Sequence, residues 1–447
     1  MKRIVSILLL LSMAVSLAAC SAASSGKESS IVMPESTETP EAVAAETPVP
    51  EKTSDSDEGE SPMDDTDAVQ LFGLNDNDIR LVDLLVAEKG PDENVFVSPL
   101  SLDLALGMLY NAADGETKER MRAYLSDDLD AFNQKALSVL ENSSRDLPAE
   151  DAGVDGDEIE RLTEPETIYT ICNGLWYDNP LQVNGDYVEQ LRAEYMAEIA
   201  AMDFKDPASA NAINDWCSKK TNGLIPEIVS SDLLRRSVAI LANSIYFKGA
   251  WVESFGDAKP GVFTKSSGEA VDAQMMHGMA AGYSENEKAY AVSKYYYGGF
   301  RFVGILPKEP GDFELSDLDI PGLLTGSDEH PNCDVMLTLP KLNLSFDAEL
   351  NEALTTMGLG DIFKDSANFS KMSDDLAVSE VLQKTVLKLD ENGTEAAAVT
   401  VVSVRCTAAM PEVKEIVEFV FDRPFALVIQ DPNGNVLFVG KIVDPTM

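Results

Sequence analysis

Hydrophobic residues fall at helical spacing in three stretches of the chain. Ser98-Pro99 supplies an N-cap with proline at the first helical position, and Asp206-Pro207 repeats this pattern. Gly358 ends the third stretch. These stretches predict three helices, each with one apolar face. Those faces carry Leu102, Ala105, Leu106 and Leu109, then Ile213 and Trp216, then Leu350, Ala353, Leu354 and Met357.

Runs of β-branched and aromatic residues predict strands between and after these helices. They cover residues 238–247, 300–306, 335–339, 425–430 and 436–443. Asp431-Pro432-Asn433-Gly434 separates the last two runs and predicts a hairpin turn. Because helices come first and antiparallel strands dominate the end, the chain is predicted to have an α+β fold.

Composition divides the chain into three parts. Residues 1–20 have a basic start and a short apolar run, which is typical of a signal peptide. Residues 21–68 hold thirteen acidic and two basic residues with almost no large apolar ones, which predicts a disordered, extended spacer. Residues 69–447 carry the periodic pattern without a second linker and predict one folded domain. Within it, residues 142–166 are expected to form a surface loop.

The signal peptide closes on Leu17-Ala18-Ala19-Cys20. Small residues before a cysteine resemble the bacterial lipobox, in which the cysteine is lipidated and becomes the new N-terminus. This resemblance implies a bacterial lipoprotein, exported and anchored through Cys20 to the outer face of the cytoplasmic membrane or the cell surface. The alternative is an ordinary signal peptide that happens to contain a cysteine.

The charge balance narrows the choice of partners. Aspartate and glutamate number 77 against 34 lysine and arginine residues, so the net charge is −43. Nucleic acid and anionic membrane surfaces are disfavoured, because phosphate binding needs clusters of basic side chains. The acidic surface favours solubility outside the cell.

Four cysteines remain beyond Cys20, and none lies in a CxxC or metal-like spacing. A chain of this length has a core large enough to do without disulfides. We therefore expect Cys172, Cys217 and Cys333 to be buried free thiols, although the sequence leaves pairing open.

Motifs of common catalytic sites are missing from the sequence. There are two histidines, His277 and His330, and there is no GxSxG, HExxH, Walker loop or GxGxxG after a strand. A Ser-His-acid or Cys-His site would need one of these histidines beside a nucleophile. The sequence predicts a protein that is not an enzyme and that holds no cofactor or metal.

The stretch LDENGTEAAAVTVVSVRCTAAMP, residues 389–411, combines helix-favouring alanines with a strand-favouring Thr/Val run. When residues 394–405 are sorted by alternate positions, both of their charges, Glu395 and Arg405, fall on one face. A segment with one uncharged face suits both an exposed loop and a central strand. The uncharged face consists of Thr394, Ala396, Ala398, Thr400, Val402 and Val404.

Several blocks of this sequence resemble the serpin family, in the family's order. Residues 392–400 resemble the hinge of the serpin reactive-centre loop. Other resembling blocks are the Ser-Pro-x-Ser helix start at 94–101, Thr-Asn-Gly at 221–223, the Asn-x-x-Tyr-Phe-Lys-Gly-x-Trp strand at 241–251, the C-terminal signature at 421–425 and the last strand at 437–445. Together they cover essentially residues 71–447.

The resemblance implies about nine helices around three β-sheets, with a reactive-centre loop at about residues 391–411 that can insert into the large sheet. It also implies a monomer that inhibits serine proteases as a suicide substrate. The protease forms an acyl-enzyme with the loop, and insertion of the cut loop traps it. The uncharged face suits this insertion, because burying an unpaired charge would cost several kcal/mol.

Family spacing from Gly393 places the scissile bond at Thr407–Ala408, with Arg405 or Cys406 as alternative scissile residues. A small residue there favours elastase-like or subtilisin-like proteases, whereas Arg405 would favour trypsin-like enzymes or cysteine proteases. The hinge implied by the resemblance comprises Glu391, Gly393, Thr394, Glu395, Ala396, Ala397 and Ala398. The implied gate of the sheet comprises Ser98, Ser101, Asn243, Gln383 and Trp251.

Three positions depart from the family pattern. Asn392 stands where inhibitory members usually have glutamate, Gln383 where a histidine is common and Ala426 where a larger apolar residue is usual. Glutamine can still hydrogen-bond but cannot change charge with pH. The alternatives to inhibition of serine proteases are a non-inhibitory serpin acting as a binding protein, a serpin that is cut without trapping, and a cross-class inhibitor of cysteine proteases.

Overall fold

A computed structural model describes residues 71–143, 167–326, 333–374, 376, 378, 380–394 and 414–447. This part of the chain contains nine α-helices. They are α1 (Asp76–Lys89), α2 (Pro99–Ala112), α3 (Gly115–Tyr124), α4 (Leu129–Asn142), α5 (Gly185–Tyr195), α6 (Pro207–Lys220), α7 (Ser231–Arg236), α8 (Ile320–Leu324) and α9 (Asn351–Leu354). No helix among these residues is long and apolar enough to cross a membrane.

Sixteen strands accompany these helices in the same described residues. In chain order they are β1 (Val95–Val97), β2 (Ile168–Asp178), β3 (Glu198–Met202), β4 (Ala239–Ala250), β5 (Gly256–Thr264), β6 (Ala270–Met279), β7 (Gly282–Glu285), β8 (Ala289–Tyr295), β9 (Arg301–Pro307), β10 (Cys333–Pro340), β11 (Leu342–Glu349), β12 (Leu382–Leu389), β13 (Gly393–Thr394), β14 (Glu415–Val420), β15 (Phe425–Gln430) and β16 (Val436–Ile442).

The strands form three sheets. One has the order β1-β16-β15-β9-β8-β7, and a smaller one has the order β14-β10-β6-β5. The third sheet has the order β11-β12-β13-β4-β2-β3 and is called the hinge sheet here, because it contains Gly393 and Thr394. In the hinge sheet β13 runs antiparallel to both of its neighbours, β12 and β4.

Helix α2 lies against one face of the hinge sheet, which we call the inner face. Its N-cap is Ser98, whose hydroxyl accepts a hydrogen bond from the Ser101 N–H, and Pro99 follows the cap. Twelve of its fourteen residues are buried, as expected of a helix that is apolar on nearly all sides. Helix α2 therefore serves as a fixed support beneath the centre of the sheet.

Helix α6 covers the opposite, outer face of the hinge sheet. Asp206 caps it and Pro207 begins it, as the sequence predicted. Its Ile213, Trp216 and Cys217 are buried in a cluster with residues of β2 and β4, and Val386 of β12 packs against that cluster. The cluster under helix α6 thus involves strands on both sides of β13.

Most elements predicted from the hydrophobic pattern are present, and the third helix is the exception. Regular α-helix there ends at Leu354, and the chain continues through irregular turns to Phe363. The α-helix therefore ends before Gly358, which sits at φ +102°, a conformation that L side chains rarely adopt, and which interrupts the turns that follow the helix. Cys172 and Cys217 are buried free thiols, but Cys333 is half-buried, because it is the first residue of β10 and lies beyond the part of that strand that pairs with β6. Residues 144–166 of the predicted surface loop lie outside the described residues.

Candidate functional site

The candidate site is the interval between β4 and β12 in the hinge sheet. At its upper end β13 fills the interval, pairing Gly393 with Ala250, and Thr394 with Gly249 and Leu389. Gly393 has φ +155°, and a Cβ at this position would lie 1.9 Å from the Gly249 carbonyl oxygen. Only glycine therefore lets the chain turn into the sheet here.

Backbone hydrogen bonds fix the residues just before β13. The Trp251 N–H donates to the Asn392 carbonyl at 2.9 Å, and the Phe255 N–H donates to the Glu391 carbonyl at 2.9 Å. The Trp251 indole donates to the Asp390 carbonyl at 3.0 Å. The hinge thus enters the sheet from a rigid frame built around Trp251.

Glu391 links this frame to the four-stranded sheet that contains β5. One carboxylate oxygen accepts the Ala258 N–H at 3.1 Å, and the other lies 2.8 Å from the Lys341 ammonium. Burial alone would raise the pKa of Glu391, but the Lys341 hydrogen bond, the backbone donors and the Lys341 charge hold it below its ordinary value. Glu391 is therefore ionised at neutral pH.

Thr394 decides which face of the hinge points inward. Its side chain is 3% exposed, and its hydroxyl hydrogen-bonds the Tyr296 hydroxyl at 2.7 Å. Tyr296 in turn stacks on Trp251 with ring centroids 4.0 Å apart. A strand that continued from Thr394 would point every second residue toward the same inner face.

The lower half of the same interval has no strand in the described part of the chain, and β4 is joined to β12 only through β13. A cavity of about 50 Å³ opens there over α2, lined on its two sides by Leu241 and Leu382. A second cavity of about 30 Å³ on the outer face is lined by the same two side chains. The two strands are therefore separated where a further strand would lie.

Gln383 and Ser98 form the centre of the gate. The Ser98 N–H donates to Gln383 Oε1 at 3.0 Å, and Gln383 Nε2 donates to the Ser98 carbonyl at 2.8 Å. On the other strand, Ser101 Oγ donates to Asn243 Oδ1. Both strands are thus bonded to the start of α2 rather than to each other.

Two gate residues were not found from the sequence. Asn173 accepts a hydrogen bond from Asn243 Nδ2 at 2.6 Å and donates to the Tyr195 carbonyl at 2.8 Å. Thr385 donates its hydroxyl to the Phe96 carbonyl. Strand register could have identified both residues. Asn173 of β2 lies opposite Asn243 of β4. Thr385 lies two residues beyond Gln383 and therefore on the same face of β12.

Trp251 does not join the gate, where the resemblance had placed it. It directly follows the upper end of β4, eight residues beyond Asn243, which corresponds to about 26 Å along a strand. Trp251 instead packs around the hinge. The remaining predicted site residues lie outside the described residues: Cys20, Glu395, Ala396, Ala397, Ala398, Arg405, Cys406, Thr407 and Ala408.

Comparison with known proteins gives a consistent family. Residues 74–445 match the family model described as serpin, serine protease inhibitor. An uncharacterized serpin-like protein of Thermococcus kodakarensis is 32% identical over 387 residues, covering 81% of this chain and 83% of the relative. Alpha-1-antiproteinase 2 of Equus caballus is 30% identical over 384 residues, covering 81% and 84%.

Solved structures agree in fold. A thermophilic serpin, tengpin, in the native state gives a TM-score of 0.69 at 26% identity, covering 83% of this chain and 95% of that one. An Arabidopsis serpin in its native stressed conformation gives 0.70 at 24% identity, covering 83% and 96%. The predicted fold class is confirmed. The chain belongs to the serpin family, whose members are protease inhibitors and not enzymes.

Proposed function

We propose that this serpin is a suicide-substrate inhibitor of serine proteases that traps the acyl-enzyme by inserting its cleaved loop between β4 and β12. The observation that carries the proposal is the two-residue strand β13, already paired on both sides at the upper end of an otherwise open interval. The relative's name, alpha-1-antiproteinase, agrees with this activity.

The register of β13 supports insertion of the following residues. Extending its pairing along β4 brings Thr400 opposite Asn243, and extending its pairing along β12 brings Thr400 opposite Gln383. The two extrapolations agree, so one strand would satisfy both neighbours. Since Thr394 faces inward, the inward positions would be the small, uncharged face of the loop.

The chemistry belongs to the protease. Its nucleophile would attack the Thr407 carbonyl, form an ester with it and release the amine of Ala408. Insertion from Thr394 to Thr407 spans thirteen residues, or roughly 43 Å of strand, and would carry the ester toward the far end of the sheet. Inhibition then depends on insertion outrunning hydrolysis of the ester.

A small scissile residue favours elastase-like or subtilisin-like targets, because their specificity pockets are shallow. The first experiment is to mix the full chain with an elastase, a subtilisin, a trypsin and a papain-like cysteine protease. We expect a band resistant to denaturant near the summed mass, together with a released peptide beginning at Ala408. A peptide beginning at Cys406 would move the scissile residue to Arg405.

Complete cleavage without such a band for every protease would contradict the inhibitory proposal and leave a substrate-only or binding role. A covalent complex with the cysteine protease and with none of the serine proteases would show that the target is a cysteine protease. Thr394→Ser keeps a hydroxyl for Tyr296 and should form the same complex, so it is the control for any other substitution at Thr394.

We further propose that the protein comes from a bacterium and is lipidated on Cys20, with residues 21–68 as the spacer that holds the inhibitor away from the membrane. The support is the small-residue run before Cys20 and the acidic composition that follows it. Labelling bacteria that express the gene with a fatty-acid analogue should mark the wild-type chain and not Cys20→Ser. Equal labelling of both chains would contradict the proposal.

A further inference from the structure

An inserting loop would bring a charge into the hinge sheet at the first position after β13. Thr394 points inward, with its side chain 3% exposed, so the next residue of an extended strand points to the outer face. That residue is Glu395, which lies outside the described residues. The surroundings of its carboxylate after insertion therefore depend on the outer faces of β4 and β12.

The register of β13 identifies the two residues that would flank Glu395. The last residue of β13 pairs with Gly249 of β4 and with Leu389 of β12, and both pairings are antiparallel. One residue further, Glu395 comes opposite Lys248 on one side and Lys388 on the other. The extrapolation covers a single residue, and at both lysines the strands pair with their other neighbours without a shift in register.

Both lysines lie on the outer face of the hinge sheet. Asn243 points inward to α2, and Lys248 is five residues further along β4. Gln383 also points inward to α2, and Lys388 is five residues further along β12. Because alternate residues of a strand face opposite sides, an odd separation reverses the face. Glu395 would therefore meet two ammonium groups on its own side of the sheet.

The two lysines have no counter-ion in the part of the chain that the structure describes. Their partners on the far sides are uncharged: Ile168 of β2 lies opposite Lys248, and Asn343 of β11 lies opposite Lys388. Asp390 is the carboxylate closest to Lys388 in sequence, and it accepts backbone N–H groups of the hinge instead. The two positive charges thus await a negative one.

A strand between β4 and β12 would place that negative charge at the right distance. Neighbouring strands lie about 4.8 Å apart, so one carboxylate on the middle strand is a direct cross-strand neighbour of both lysines. Opposite charges in such positions stabilise a sheet, whereas like charges destabilise it. Arg405, the other charge on the outward face of the loop, comes ten residues later and does not reach this position.

We propose that Lys248 and Lys388 are positioning residues that receive the Glu395 carboxylate at the start of loop insertion, an inference that rests on the proposed function. Glu395 is the first residue beyond β13, so its two ion pairs favour extension of the strand over withdrawal of the hinge. Faster extension helps insertion to outrun hydrolysis of the ester. The outer face of the sheet thereby selects for an acidic residue directly after Thr394.

Lys384 provides a matched control on the same face of β12. In the extended register it lies opposite Val399, which is uncharged. Its ammonium already lies 3.1 Å from the Asp347 carboxylate. Lys384→Gln therefore removes a lysine from the outer face without removing a partner of Glu395.

The first test uses no protease. The full chain is mixed at low ionic strength with a fluorescent peptide of residues 395–407, or with the same peptide carrying Glu395→Gln, and uptake is followed by anisotropy. Wild type should take up the glutamate peptide about two- to fivefold faster, as expected for cross-strand ion pairs. The preference should persist in Lys384→Gln, and disappear in the double variant Lys248→Gln, Lys388→Gln and in about 1 M salt.

Equal uptake of both peptides by wild type, or a preference that survives in the double variant, would overturn the assignment. Uptake of neither peptide would overturn it as well, because no strand would then pair with the lysines. Lys388→Gln alone should weaken the preference, and since Lys388 is exposed this variant is expected to fold. Circular dichroism spectra matching wild type confirm the fold of each variant.

Charge reversal separates ion pairing from a merely structural role. Glu395→Lys in the full chain would bring three ammonium groups together, so more chains should be cleaved for each chain that traps a protease. Adding Lys388→Glu should lower that ratio again, because the new carboxylate attracts the new lysine. A ratio that stays high in the double variant would contradict the pairing.

The two tests distinguish this inference from the proposed function. If every variant is cleaved without trapping, the proposed function fails, while the peptide preference still decides the roles of Lys248 and Lys388. If wild type traps a protease but shows no preference between the peptides, the proposed function stands and the assignment of the two lysines is wrong.

Discussion

The upper and lower ends of the interval between β4 and β12 are held in opposite ways. At the upper end β13 pairs with both strands, and Trp251 and Tyr296 pack against the hinge. At the lower end Gln383 and Asn243 bond to α2, and cavities lie on both faces. The same sheet is therefore closed by backbone pairing at one end and kept apart by side chains at the other.

The difference shows how one chain can begin a strand without completing it. The upper end defines the register and the inward face of the insertion. At the lower end the side chains of Gln383 and Asn243 hydrogen-bond to the start of α2, which holds β4 and β12 in place without backbone pairing between them. Hydrogen bonds to α2 thus keep the interval between β4 and β12 open, and an inserted strand would fill the cavities there and improve the packing.

The largest effect is expected from placing a charge at the upper end. Thr394→Arg would bury a guanidinium beside Tyr296, at a cost of about 3–5 kcal/mol for an unpaired buried charge. Since each 1.4 kcal/mol is a factor of ten, covalent trapping should fall by at least a hundredfold, to about 1% or less, while cleavage of the loop persists. Titration of inhibitor against protease measures this, with Thr394→Ser as control. Undiminished trapping by Thr394→Arg would show that β13 need not form.

The pH should change the stability of helix α2, which supports the lower end of the interval, and of its neighbour α1. Burial raises the pKa of Asp78 on α1 to about 7, and the pKa of Asp103 on α2 is raised by burial and by the Asp78 charge. These carboxyls favour the folded state when protonated. For Asp78 this contribution is complete below about pH 4 and is lost as the pH rises through 7.

We therefore expect the free energy of unfolding to fall by about 2–4 kcal/mol between pH 4.5 and pH 8 through Asp78. Asp78→Asn should flatten the fall, because an amide can still accept the Asn75 N–H and carries no charge. Denaturant midpoints across the pH range provide the measurement. A profile for Asp78→Asn that matches wild type would remove this carboxyl as the cause.

Gln383→Leu tests the gate itself. The change leaves the fully buried Ser98 N–H without its acceptor, so the native state should lose about 1–3 kcal/mol. Gln383→His offers one donor and one acceptor and should recover most of that loss at pH 8, with a new dependence on pH near 6.5. Equal stability of the Leu variant and wild type would mean that α2 does not hold β12 in place.

Much of this arrangement was predictable because it is local. Caps at Ser98 and Asp206 define helix starts, and alternation along the loop predicts an uncharged face that begins at Thr394, whose side chain is buried in the structure. The gate was predictable only through family resemblance, since its residues come from distant parts of the chain.

What the sequence did not provide depends on register and on contacts across the fold. Asn173 becomes a gate residue only because β2 pairs with β4 at Asn243. Trp251 was assigned to the gate from its motif, yet strand length places it at the hinge. The cavities between β4 and β12 are a property of strand separation, which no local pattern encodes.

The smallest effect is expected from the ion pair beside the hinge. Glu391 and Lys341 have side chains 21% and 40% exposed, so solvent screening limits the pair to about 0.5–1 kcal/mol. Glu391→Gln keeps an oxygen for the Ala258 N–H and removes only the charge. The pKa of Glu391 is lowered in the folded state, so its contribution is present above about pH 4.5 and is lost as the pH falls through the folded pKa. Wild type and Glu391→Gln should therefore differ in denaturant midpoint at pH 7 and low salt, and converge in acid or 1 M salt. A difference that survives both conditions would show that Glu391 holds the hinge through its shape and hydrogen bonds, which would make the upper end depend on geometry alone.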